Sequence, residues 1–198
     1  MTYADRSGRE QDLKDKGAVF YIDRRQFVLS RYLKYWWQLL YLVPQHDIIY
    51  VQGPVSEGWP AYLACRLANV PYYLKEVGDY AWEQGRQRSG VTDLLDDFQD
   101  KSYGPRVIFW RSVQRAVARK AKAVVTPSEY LKSIVAKWGV APQKIHVIYN
   151  SVNYSHRSHS RREAQKSLGV SGDIILTAGR LVPWKGIAEL IDLMPALL

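Results

Sequence analysis

One cysteine in 198 residues excludes an internal disulfide, and a lone thiol fits a reducing compartment. Cys65 stands among Leu63, Ala64 and Leu67, the setting of a small core residue. Long apolar runs are also missing. The most conspicuous uncharged stretch, Tyr35 to Gln45, is too short to cross the roughly 30 Å hydrocarbon layer of a bilayer. The N-terminus carries Asp5, Arg6, Arg9, Glu10 and Asp12 and holds no apolar segment of the signal-peptide kind. Asp, His and Cys form no clustered set at metal-ligand spacing. There is neither an internal repeat nor a low-complexity tract. The expected location is cytoplasmic, with a peripheral position at the inner membrane face as its extension.

Acidic residues are scarce in one region only. Between Gly104 and Leu168 thirteen Lys and Arg face only Glu129 and Glu163, an excess of eleven positive charges, whereas the remainder is slightly acidic. Arg111, Arg115, Arg119 and Lys122 recur at helical spacing opposite Val107, Trp110, Val113 and Val117. Two readings fit this pattern. One is a solvated helix face; the other is attraction of region 104–168 to an anionic membrane surface. Nucleic-acid binding is a rival from another class, since a basic region with many aromatics is also its footprint. The regular amphipathic framework matches no nucleic-acid module, and no nucleic-acid partner is expected.

Strand-like runs alternate with helical patterns, which predicts an α/β fold. Strands are expected at Gly17–Ile22, Asp47–Val51, Pro71–Lys75, Ala123–Ser128 and Lys144–Val152. Helices are expected at about 26–43, 57–68, 105–121 and 129–138, and Met1 to Lys16 shows no strand pattern. Residues 76–103 read as a long polar stretch, with 84–103 a candidate lid over an acceptor and Asp93, Asp96, Asp97 and Asp100 as solvated carboxylates. Trp36, Trp37 and Tyr41 belong to a helix whose polar face, Arg31, Lys34 and Gln38, is narrow; core packing is the expectation and an interfacial role the alternative. Residues 150–160, NSVNYSHRSHS, are polar and aperiodic and read as an interdomain linker.

The most informative stretch is ILTAGRLVPWKG at the C-terminal end. An apolar strand is expected to run into Gly179 and Arg180, with Lys185 and Gly186 just before a helix. In open α/β sheets ligands bind at the carboxyl ends of strands, and a helix N-terminus there favours an anion. Arg180 offers a planar fork and Lys185 a mobile point charge, a pair suited to a diphosphate; Gly179 and Gly186 let backbone approach it. An ordinary turn with two solvated cations fits the spacing as well.

Three segments, Val125–Tyr130 (VTPSEY), Lys144–Asn153 (KIHVIYNSVN) and Gly179–Gly186 (GRL…KG), follow one another in this order. The chain thereby resembles the retaining nucleotide-sugar glycosyltransferases of family 4, with the GT-B fold, over roughly residues 47–198. The resemblance implies two Rossmann-like domains: 1–151 on the acceptor side, lacking its usual first strand and Gly-rich loop, and 152–198 as linker and truncated start of the donor-binding domain. It matches Arg180 and Lys185 to the family's diphosphate-binding cations, which stabilise charge growing on the leaving group without a metal or other cofactor. Two full domains need more than 198 residues. The chain therefore reads as a fragment that is inactive alone and exposes sheet edge and apolar surface, the family's paired donor-contacting glutamates lying beyond it.

Many family members carry a histidine where this chain reads Glu76–Glu83, EVGDYAWE. Asp79 is the nearest candidate catalytic residue, by hydrogen bonding to a sugar hydroxyl, with Glu76 behind it; a helix-capping role is the alternative. Two hypotheses follow. The first is retaining, metal-independent transfer of a sugar from a nucleotide-diphosphate donor to a glycan, lipid-linked or small-molecule acceptor. The second is a non-catalytic basic domain that binds nucleic acid or an anionic membrane surface.

Overall fold

The structure is a computed structural model that describes residues 2–4, 8–12, 17–23, 25–152 and 160–197. It separates into two compact units, Met1–Ser151 and Val152–Leu198.

The first unit is α/β. Strands β4 (Ile49–Gln52), β5 (Tyr72–Lys75), β6 (Ala123–Thr126) and β7 (Ile145–Val147) form a parallel sheet in that spatial order. A second sheet has the order β1 (Thr2–Ala4), β3 (Gly17–Asp23), β2 (Gly8–Asp12), with β1 parallel and β2 antiparallel to β3. β1 and β2 fall where no strand pattern was expected. Their pairing is carried by backbone hydrogen bonds, which the polar composition of this segment does not advertise.

Each neighbour in the β4–β7 sheet is also the next strand in sequence. Right-handed parallel crossovers therefore place the connecting helices on one face. These are α2 (Gly58–Ala68), α5 (Pro105–Lys120) and α6 (Glu129–Lys137). A register row across the sheet, Val51, Leu74, Val124 and Ile145, points into that layer, and all four are buried. Tyr50 on the opposite face is 52% exposed and His146 is exposed as well.

Helix α1 (Val28–Leu42) precedes β4 and ends where Pro44 enters a 3-10 turn, since proline has no N–H to continue the ladder. Its Tyr35 and Leu39 pack with Ile22 in the main core, which also takes Ala61, Ala64 and Cys65 from α2. Burial pushes the Cys65 thiol up to about 11, in keeping with a core residue. Trp37 and Tyr41, expected in the core, are instead 68% and 67% exposed. Around Tyr35 and Leu39 the buried stripe of α1 is narrow, with Leu40 packed against it, while Val28, Leu29, Leu33, Trp37 and Tyr41 are exposed.

Two helices occupy the stretch read as polar: α3 (Tyr80–Arg88) and α4 (Leu95–Asp100). They enclose a second small core of Ala81, Val91, Phe98 and Val107. A packed body thus stands where a lid was expected.

In the second unit, α7 (Arg161–Leu168) opens with a capping box between Ser160 and Glu163, and α8 is Ile187–Leu197. Ile174–Ala178, expected as a strand, joins no ladder, and Leu176 is 87% exposed. A parallel strand needs a neighbour for its N–H and C=O groups, and residues 160–197 supply no other strand. No helix is long and apolar enough to cross a membrane among the described residues.

Candidate functional site

The carboxyl end of β5 carries two buried carboxyl groups, Glu76 and Asp79. β5 is held there from both sides, since Gly53 N–H donates to Lys75 O and Glu76 N–H to Val125 O. Asp79 is the N-cap of α3, and its Oδ1 accepts the Trp82 N–H at 2.9 Å and the Gln114 amide at 3.0 Å. Oδ2 accepts the Gln99 amide at 2.9 Å. Gln114 in turn accepts the Ala81 N–H, and Gln99 accepts the indole N–H of Trp138 at 3.1 Å. One buried chain of hydrogen bonds thus ties α3, α4, α5 and the end of α6 to a single carboxylate. Asp79 is 1% exposed, and both its oxygens are engaged within the protein. This is the geometry of the capping alternative.

Glu76 is the unexpected member. Burial, and then the nearby Asp79, push its carboxyl well above the usual range, against backbone N–H bonds from Gly78 and Val77. Its Oε2 has no hydrogen-bond partner among the described residues. The neutral acid is therefore favoured at this strand end. Sequence reasoning also missed Gln114. The available signal was its position: seven residues after Val107 and three before Val117, it lies on the apolar stripe of α5, where a polar side chain needs a buried partner.

The basic stripe of α5 is only partly solvated. The Arg111 guanidinium lies 4.4 Å from the centre of the Phe98 ring and donates to Phe98 O and, at 2.7 Å, to Lys101 O. Arg119 donates to Trp138 O at 2.6 Å. Both are structural ties, contrary to a purely solvated face. The acidic residues are likewise engaged: Asp93 accepts from Lys101 and Tyr103, Asp96 from Tyr130, and Asp100 pairs with Lys137 at 3.7 Å. Lys101 and Tyr103 hold the Asp93 carboxyl below its ordinary range. Among the described residues no three such groups are placed to hold a metal ion.

Between α1, α2 and α5 runs an apolar groove of about 480 Å³. Trp36, Trp59, Tyr80, Phe109 and Trp110 line it. Val55 and Ser56 at its floor follow β4, so the groove opens beside the carboxyl end of that strand.

In the second unit, Pro183–Lys185 form a 3-10 turn that Gly186 closes in the left-handed conformation, at φ +65°. Helix α8 starts at the next residue, so Lys185 and Gly186 stand at the end where backbone N–H groups lack intrahelical partners. Arg180 and Lys185 are exposed, and nothing lies within 4 Å of a side chain grafted on Gly179. Cations, small residues and helix start are thus adjacent, although the preceding strand is not formed.

A family model, Glycosyltransferase Family 4, matches residues 3–156. No curated protein matches the sequence. Among solved structures, Anabaena Alr3699/HepE in complex with UDP and glucose superposes with a TM-score of 0.63 at 18% identity, covering 89% of this chain and 44% of that one. Its complex with UDP-glucose gives 0.61 at 19% identity, with 90% and 43% covered. A glycosyltransferase from Rickettsia africae ESF-5 gives 0.51 at 18% identity, with 90% and 44% covered. The chain spans less than half the length of each of these structures, and at these identities the likeness shows the GT-B fold alone. The family match, by contrast, runs through both sheets of the first unit, and on it the chain belongs to glycosyltransferase family 4.

Proposed function

We propose that the protein carrying this chain moves a sugar, a hexose in our reading, from a nucleotide-diphosphate donor to an acceptor, with retention of configuration and without a metal. The observation that carries this reading is the cluster at the start of α8. Arg180, Lys185 and the free N–H groups after Gly186 suit a diphosphate, whose charge grows as the sugar-phosphate bond breaks. Preplaced cations stabilise that growing charge more than the ground state, so they accelerate the step without a protein base. UDP and UDP-glucose, bound by the Anabaena structures, support testing a uridine donor first. Asp79 serves here as a positioning residue that fixes the start of α3, and not as a group that touches the sugar.

The acceptor is lipid-linked or otherwise apolar in part, because the groove beside β4 is lined by aromatic and aliphatic side chains. Peripheral membrane contact is assigned to the outward face of α1, where Trp37 and Tyr41 are exposed, and less to the α5 stripe, whose Arg111 and Arg119 are tied to backbone carbonyls. A cytoplasmic location is part of this reading, and the lone buried thiol, which fits a reducing compartment, supports it.

Calorimetric titration of UDP, GDP and ADP into the parent protein and an R180A/K185A variant tests the donor site. One diphosphate is expected to bind, and the double substitution to weaken it at least tenfold, about 1.4 kcal/mol. Equal affinity in both proteins, or no diphosphate binding, defeats the assignment.

A further inference from the structure

The edge of the β4–β7 sheet opposite the carboxyl ends holds a second concavity, an open basin of about 940 Å³. Arg66, Lys120, Lys122 and Lys144 line it, together with Asn69 and Tyr62, and no carboxylate does. The topology brings these cations together from three separate places in the chain. Arg66 is in the last turn of α2, Lys120 ends α5, Lys122 precedes β6, and Lys144 precedes β7. Arg66, Lys120 and Lys122 are exposed, and none of the four has an acidic partner among the described residues. Lys144 reaches only the Ala121 carbonyl, at 3.4 Å.

A structural role accounts for part of this charge. The C-termini of α2 and α5 both end at this edge, and each supplies about half a negative charge that basic residues offset. Two such termini balance about one cation of the four. About three positive charges remain in one concavity, where walls of low dielectric focus their field. The floor is fixed: Tyr72 and Cys65 are buried, and the Tyr72 hydroxyl donates to Val117 O. Point charges on mobile lysine stems with one arginine fork are the donor set of a phosphate group.

We infer that this basin binds a phosphate-bearing ligand, at a site separate from the diphosphate site proposed on Arg180 and Lys185. The same chemistry is offered by a soluble oligophosphate and by the headgroup of an anionic phospholipid, and the test separates them. The 198-residue chain is titrated with inorganic tripolyphosphate, and separately with vesicles of phosphatidylglycerol or of phosphatidylcholine. A K120Q/K122Q variant is compared with an R88Q/R106Q variant, which loses equal charge from exposed positions outside the basin. Thermal melts confirm that both fold.

Tripolyphosphate binding weakened at least tenfold by K120Q/K122Q and unchanged by R88Q/R106Q supports a soluble ligand. The same contrast with phosphatidylglycerol vesicles alone supports a lipid headgroup. Equal loss in the two variants overturns the proposal in favour of net-charge attraction, and absence of binding in both arms overturns it outright.

Discussion

At the scale of single residues, the two buried carboxyl groups after β5 behave differently because their partners differ. Glu76 has a folded-state pKa above its unfolded value, so folding binds a proton and stability falls as pH rises through that pKa. The contribution is fully present below about pH 4.5, the ordinary glutamate value. An E76Q variant keeps the shape without the charge. It is expected to be more stable than the parent at pH 8, to match it near pH 4, and to lose a slope of up to about 1.4 kcal/mol per pH unit. Urea denaturation at several pH values measures this, and parallel pH profiles would refute it. Asp79, in contrast, is the acceptor for two glutamine amides and a helix N–H. Replacement by alanine removes a cap and orphans two buried amides, an expected loss of about 3 to 5 kcal/mol in the same experiment. A loss under about 1 kcal/mol would mean that water replaces the carboxylate.

At the scale of elements, α3 and α4 are held by a few named contacts and little apolar area. Arg111 closes this body by gripping two backbone carbonyls beside the Phe98 ring, which itself stacks on Tyr103 at 4.7 Å between centroids. R111M keeps the stem and removes the donors. Hydrogen exchange of the α4 amides is expected to quicken at least tenfold, about 1.4 kcal/mol of local opening, while β5 and β6 keep their protection. Uniform acceleration would show that the body is not a separate unit. The same contacts explain why these helices were illegible in sequence, since a glutamine and an arginine organise them and no apolar period announces them. Strands β3 to β6, with α1, α2, α5 and α6, were legible within a few residues, because buried parallel strands read as short apolar runs and capped helices announce their ends, as Ser128 does at α6, whereas the strand read at Lys144–Val152 ends at Val147. Ile174–Ala178 looks no different from these runs; what it lacks is a neighbour, and a strand is a property of the pair. The chemistry of the Lys185 to Gly186 turn was legible from spacing, whereas the partnerless Glu76 oxygen depended on packing that composition does not encode.

At the scale of the whole molecule, α1 carries one run of apolar side chains left outside the cores. Phe27, Leu29, Leu33, Trp37 and Tyr41 are all exposed there, with Lys34 among them. Aromatic and cationic groups on one helix suit the interface of an anionic bilayer. Tryptophan emission is expected to shift to the blue on mixing with phosphatidylglycerol vesicles, and a W37A/Y41A variant to lose both the shift and co-flotation. Unchanged flotation would assign membrane contact elsewhere. The sheet with consecutive neighbours has a consequence for synthesis. No strand from β5 to β7 must be inserted between two already paired, so each adds to a free edge in the order the ribosome releases it, once its crossover helix has emerged. The core row from Val51 through Leu74 and Val124 to Ile145 can thus lengthen one residue at a time from the N-terminal side.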